Sequence, residues 1–195
     1  MKRERKKGDR LIFLGLLLIA VALLLTVYNL YDEKKAERSV QTVMEQMTLP
    51  EEQFIPNYVL NPNMAMPTKE IDGVAYIGVV KIPALDLELP VISQWSYPSL
   101  KKAPCRYRGS AYLHNLIICG HNYDSHFGNL KTLYLGDAVN FTDVDGNEFS
   151  YRVAELETLE RTDIEEMKQG DWDLTLFTCT IGGKTRVTVR CLQVE

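Results

Sequence analysis

Three successive patterns of apolar and polar positions divide the chain. From Leu11 to Leu30 the run LIFLGLLLIAVALLLTVYNL is apolar on every side, with no charge in 20 residues. At a rise of about 1.5 Å per residue such a helix spans about 30 Å, the hydrocarbon thickness of a bilayer. Over residues 32–48 the apolar positions thin to a stripe. Ala36, Val40, Val43, Met44 and Met47 recur at spacings of three and four, which predicts an amphipathic helix packed on the domain behind it. Pro50, Pro56, Pro62 and Pro67 then mark residues 49–67 as a linker or extended lead-in.

From about residue 74 the pattern becomes that of strands. The runs YIGVVKI (76–82), LELPVIS (87–93), NLIICG (115–120), DAVNFTD (137–143), EFSYRVAELETL (148–159), DLTLFTC (173–179) and TRVTVRCLQV (185–194) are short and rich in β-formers. Turn-like breaks separate them at Pro83–Asp86, Val144–Asn147 and Ile181–Lys184. Helical interruptions are expected near 124–134 and 162–169. Seven or eight strands with short connections predict an all-β barrel or sandwich. The predicted organisation is a basic tail over 1–10, an anchor over 11–30, a juxtamembrane helix and linker over 31–73, and one folded domain over 74–195.

Charge sharpens this picture. Residues 1–10 hold six Lys or Arg against two acids; removing them from the totals of 22 and 26 leaves 16 and 24, about −8. That balance argues against nucleic acid, which needs a concentrated basic surface. The basic block beside the apolar run places the N-terminus in the cytoplasm and residues 31–195 outside the cell. A cleaved signal peptide would have a shorter apolar region ending in small residues. This run ends in Tyr-Asn-Leu-Tyr-Asp-Glu, so an uncleaved anchor is the expectation.

Four cysteines, Cys105, Cys119, Cys179 and Cys191, have the sparse spacing of free thiols rather than of a disulfide scaffold. Cys179 ends an apolar strand and opens a glycine-rich turn, a rigid place from which to present a nucleophile. His121 stands where another strand empties into a loop. His114 and His126 have no such context and read as surface or loop residues. In TRVTVRCLQV, alternation puts Val187, Val189 and Cys191 on a core face and Arg186, Thr188 and Arg190 on a face toward a groove or solvent. If the last two strands pair as a hairpin, Arg186 lies close to Cys179, where a guanidinium stabilises a thiolate or a developing oxyanion. Asp143–Glu148 has the wrong glycine position for a calcium loop and reads as a β-turn. Asp163, Glu165 and Glu166 read as a solvated helix face. Cys119 reads as buried, with no chemical role.

Read together, TLFTC (175–179), IICGHN (117–122) and the strand bearing Arg186 resemble the cysteine, histidine and arginine strands of sortases, in the same chain order. Sortases are membrane-anchored cysteine transpeptidases of mostly Gram-positive bacteria. YIGVVKIPALDLELPVI (76–92), CRYRGSAYLHN (105–115) and FGNLKTLYLGDAV (127–139) extend the likeness over about residues 74–194. The resemblance implies a closed eight-stranded barrel without a cofactor. It implies Cys179 as nucleophile, His121 as acid/base partner and Arg186 as transition-state stabiliser, with Arg190 ranked second. It implies cleavage of an LPXTG-like sorting signal through a thioester, and transfer of the acyl group to an amine such as a peptidoglycan precursor. An Asp-Pro-aromatic lid, the mark of the pilin-polymerising class, is missing. The Gly-His-Asn triplet and the Phe127–Leu130 stretch lean toward class B, with class D as an alternative. The competing readings are an extracytoplasmic cysteine peptidase and a catalytically silent tethered module.

Overall fold

The computed structural model describes residues 2–47 and 55–194. Residue 48 of the expected helix and residues 49–54 of the expected lead-in lie outside the described residues. The chain divides after Lys35 into two units.

The first unit is helical and belongs to helix α1 (Lys2–Gln46). From Phe13 onward its apolar side chains are exposed; Leu24, for example, is 69% exposed. By length and composition it contains a helix able to cross a membrane. An apolar surface of this extent is costly in water and stable in lipid, where the helix satisfies its own backbone groups.

The second unit starts with the last turns of α1. There Val40, Val43 and Met47 are buried in the same core as the strands that follow, and Ala36 is buried as well. The predicted stripe is therefore a packed one. Two points of residues 55–67 are packed: in α2 (Asn57–Leu60) the Tyr58 ring stacks on Tyr112 at 4.7 Å, and Met66 is buried.

Nine strands follow: β1 (Lys69–Ile71), β2 (Val74–Ile82), β3 (Leu87–Ile92), β4 (Cys105–Arg108), β5 (Leu116–Gly120), β6 (Ala138–Asp143), β7 (Glu148–Glu160), β8 (Leu174–Cys179) and β9 (Thr185–Gln193). Short helices α3 (Tyr97–Leu100) and α4 (Ile164–Lys168) interrupt them. The sheet runs β1-β2-β3-β4-β5-β8-β9-β7-β6, and β6 pairs back onto β2. That closure makes β2 to β9 an eight-stranded barrel. The short β1 lies beside Val74–Tyr76 on β2, while β6 takes Gly78–Lys81. Gly78 has φ +152°, and a Cβ there would stand 2.1 Å from the Thr142 carbonyl oxygen. Glycine is thus required where the two strands close.

Inward positions fill the barrel: Ile77, Val80 and Ile82 from β2, Leu116 and Ile118 from β5, Leu174 and Leu176 from β8, and Val189 and Cys191 from β9 are buried. The turn over 144–147 is held by Asp143, whose Oδ1 accepts from the Asp145 and Asn147 amides. Its Oδ2 accepts from Tyr112 Oη at 2.6 Å and Asn147 Nδ2 at 2.8 Å. A carboxylate so occupied explains the Asp-Val-Asp-Gly-Asn sequence as a structural turn. The expected helix near 124–134 is a series of turns with one 3-10 turn at Leu130–Thr132, whereas α4 falls within 162–169.

Candidate active site

Three strand ends meet at one rim of the barrel. β5 and β8 run parallel, with Gly120 opposite Thr178. Their next residues are His121 and Cys179. Thr178 donates its hydroxyl to the Gly120 carbonyl at 3.0 Å and ties the two ends together. β8 and β9 are antiparallel, with Cys179 directly opposite Arg186. Directly opposed residues share a face of a sheet, so the thiol and the guanidinium lie on the same side. The hairpin between them is fixed by its own bonds. The Thr180 amide donates to the Thr185 carbonyl at 2.9 Å, and the Gly183 amide to the Thr180 carbonyl at 2.8 Å. Gly182 and Gly183 both take positive φ, +85° and +67°.

Of the four cysteines, Cys179 alone is exposed. Burial pushes the Cys105 and Cys191 thiols up to about 12 and Cys119 up as well. Those three are held protonated and away from solvent, which leaves Cys179 as the thiol that a substrate can reach. His121 is half-buried, its ring stacked on Tyr123 with centroids 3.8 Å apart and 20° between planes. Its carbonyl accepts the Phe127 amide at 3.0 Å. Phe127 is fully buried and lies against Gly120, where a Cβ would come within 2.5 Å of the ring. The glycine before His121 is therefore a packing requirement.

The two arginines on β9 separate clearly. Arg186 donates Nη1 to the Arg161 carbonyl at 2.8 Å and holds its guanidinium 5.7 Å from the Phe177 ring centroid. Its Nε has no protein acceptor among the described residues. Arg190 is fully engaged. Nε meets Glu157 Oε1 at 2.7 Å, Nη1 meets the Met167 carbonyl and Thr175 Oγ1, and Nη2 meets the Glu166 carbonyl. It fastens α4 to the outside of the barrel. The face of β9 read as groove or solvent is thus covered at Thr188 and Arg190, both buried, and open toward Arg186.

Two features were not legible in the sequence. His126, read as a surface or loop residue, is in the loop after β5 but has no exposed surface. Beyond Phe177, Tyr107 meets its ring edge-on at 5.3 Å and Trp95 at 6.1 Å. Tyr107 and Trp95, with Ser93, Arg106 and Arg108, line a cleft of about 400 Å3. His114 lies away from this rim, 3.3 Å from Asp173. No group of three or more His, Cys, Asp or Glu residues is placed to hold a metal ion among the described residues. The acids of α4 follow suit, Glu165 pairing with Lys168 at 2.9 Å and Asp163 accepting the Glu160 amide.

An eight-stranded closed barrel that presents an exposed thiol, an imidazole and a guanidinium on adjoining strand ends is the architecture of a cysteine acyl-transfer enzyme. Residues 80–194 match the family model for the sortase domain. The chain belongs to the sortase family and is a cysteine transpeptidase. Among solved structures, sortase C1 of Streptococcus suis is 25% identical, with a TM-score of 0.54, over 62% of this chain and 73% of that one. Sortase C of Streptococcus pneumoniae is 24% identical, with a TM-score of 0.56, over 85% and 89%. The sortase D5 transpeptidase of Clostridium perfringens is 19% identical, with a TM-score of 0.59, over 83% and 99%. These last two share the fold. No curated protein sequence matches the chain.

Proposed function

We propose that Cys179, His121 and Arg186 are the catalytic residues of this sortase, acting on the sorting signal of secreted surface proteins. The observation that carries the reading is the register that sets Cys179 opposite Arg186 and one strand from His121. The Cys179 thiolate attacks the carbonyl of the scissile peptide bond. The carbon–sulfur bond forms, and the tetrahedral oxyanion is held by Arg186. The carbon–nitrogen bond then breaks, and His121 gives its proton to the departing amine. An amine acceptor, such as that of a peptidoglycan precursor, attacks the thioester. His121 takes up the proton, the new amide forms, and Cys179 leaves as the thiolate. The aromatic cleft next to Phe177 is the proposed lead-in for the peptide.

The catalytic domain is proposed over 74–195, with a juxtamembrane segment over 31–73 that packs on it from Val40 onward, an anchor over 11–30 and a cytoplasmic basic tail over 1–10. The anchor then leaves the barrel outside the membrane. The test is transfer from fluorogenic LPXTG- and NPXTN-like peptides by the full chain in detergent, with and without an amine acceptor. Amine-dependent transfer that Cys179→Ala abolishes is the expected result. Hydrolysis indifferent to any acceptor supports a peptidase instead, and activity retained in Cys179→Ala overturns the assignment.

A further inference from the structure

We infer that His126 is a positioning residue for His121, holding Tyr123 against the catalytic imidazole. The inference rests on the proposed acid/base role of His121. Tyr123 contacts two imidazoles: His121 stacks on it at 3.8 Å, and the His126 ring approaches it at 5.5 Å and 53°. The backbone makes this array a closed unit. The His126 and Gly128 amides both donate to the Tyr123 carbonyl, at 3.0 and 2.9 Å, and the Phe127 amide donates to the His121 carbonyl. A Cβ at Gly128 would stand 2.8 Å from the carbonyl oxygens of Asn122 and Tyr123, so the turn has no slack.

The second observation is chemical. His126 has no exposed surface, and neither of its ring nitrogens has a protein hydrogen-bond partner among the described residues. The neighbouring Ser125 Oγ is likewise buried without a partner. Buried polar groups left this way cost stability and are bridged by ordered water in most proteins. An aliphatic side chain would avoid that cost but would present no ring to Tyr123. A polar ring at this place is therefore doing something that packing does not require. Burial and the nearby His121 lower the His126 pKa to about 4, so it is neutral when His121 carries its proton. A neutral ring braces Tyr123 without repelling the imidazolium, and a cation stacked on an aromatic face is stabilised.

The expected consequence is a shift in the protonation of His121. The other titratable and charged groups of the rim are Cys179 at the end of β8, Arg186 at the start of β9, and Tyr123 and Asp124 in the same loop. None of these is changed in His126→Leu or His126→Phe. Loss of the brace weakens the stack and lowers the His121 pKa, so the basic limb of the kcat/KM profile moves to lower pH. In His126→Leu, kcat falls by about 10-fold or more while KM stays near the unaltered value, the signature of a displaced catalytic group. His126→Phe, which keeps a ring against Tyr123, restores part of the loss.

The experiment pairs these pH profiles with NMR titration of the three histidine rings in the full chain in detergent. A His121 midpoint that falls in His126→Leu, with unchanged circular dichroism, supports the inference. A wild-type profile in His126→Leu overturns it, as does a wild-type His126 signal that titrates near the ordinary value of about 6.5. Should His126→Leu fail to fold, Tyr123→Leu decides. It removes the stack without entering the buried pocket, and an unshifted His121 midpoint overturns the inference. Cys179→Ala and His121→Ala report on the catalytic assignment separately. If both are inactive while the His126 and Tyr123 variants keep the normal profile, the assignment stands and the positioning role falls.

Discussion

At the scale of single residues, the rim is defined by which groups reach solvent. Three thiols are buried and held protonated, and the fourth is exposed beside a histidine and opposite an arginine. Arg186 and Arg190 sit four residues apart on the same face of β9, in different surroundings. Arg186→Ala is expected to lower kcat/KM by at least about 10²-fold, as loss of an oxyanion donor does, with little change in melting temperature. Arg190→Met leaves Glu157 and two carbonyls without their donor, and is expected to cost about 3 kcal/mol in chemical denaturation. The reverse pattern, a stable but inactive Arg190→Met and an active Arg186→Ala, would show the roles to be exchanged. His121→Ala is expected to lose at least about 10²-fold in transfer rate.

At the scale of elements, a tight contact places His121. Gly120→Ala drives a methyl into the fully buried Phe127 ring. It is expected to cost about 1–3 kcal/mol and to lower kcat more than it raises KM. The loop after β5 also carries a pH signature. His126 binds its proton less tightly when folded, so the unfolded chain holds more protons between about pH 6.5 and about 4. Stability is full above that window and falls as pH drops through it, by on the order of 3 kcal/mol at one pKa unit per 1.36 kcal/mol. His126→Gln is expected to flatten that part of the curve of denaturation midpoint against pH.

The same elements show what the sequence could reveal. Strands with clear alternation or long apolar runs, such as β2, β7 and β9, were legible within a residue or two. The three ends that carry His121, Cys179 and Arg186 were legible because each strand passes abruptly into a polar or glycine-rich turn. β1 and β4 were not, since three or four residues hold too little periodicity. The burial of Thr188 and Arg190 was not legible either. For Arg190 it depends on α4, whose carbonyls take its guanidinium from 20 or more residues away in sequence. The burial of His126 depends on loop closure, which has no sequence period.

At the scale of the whole molecule, the apolar stretch of α1 and the barrel call for different solvents. The full chain is expected to float with phospholipid vesicles, whereas a chain starting at Ala36 stays in solution and keeps the fold. A chain starting at residue 55 loses the buried Val40, Val43 and Met47 and is expected to melt at a lower temperature. Flotation of the chain that starts at Ala36 would mean that the barrel itself binds lipid.

The central claim is that the acyl group passes through the Cys179 sulfur, and intact-mass spectrometry tests it directly. The full chain is mixed with a cleavable sorting-signal peptide and no acceptor, quenched in acid and digested. The account predicts an adduct equal to the acyl half of the peptide, mapped to Cys179, that disappears on addition of an amine as the amide product forms. Transfer to the amine without any adduct on Cys179, or with the adduct on Cys105, Cys119 or Cys191, would contradict it.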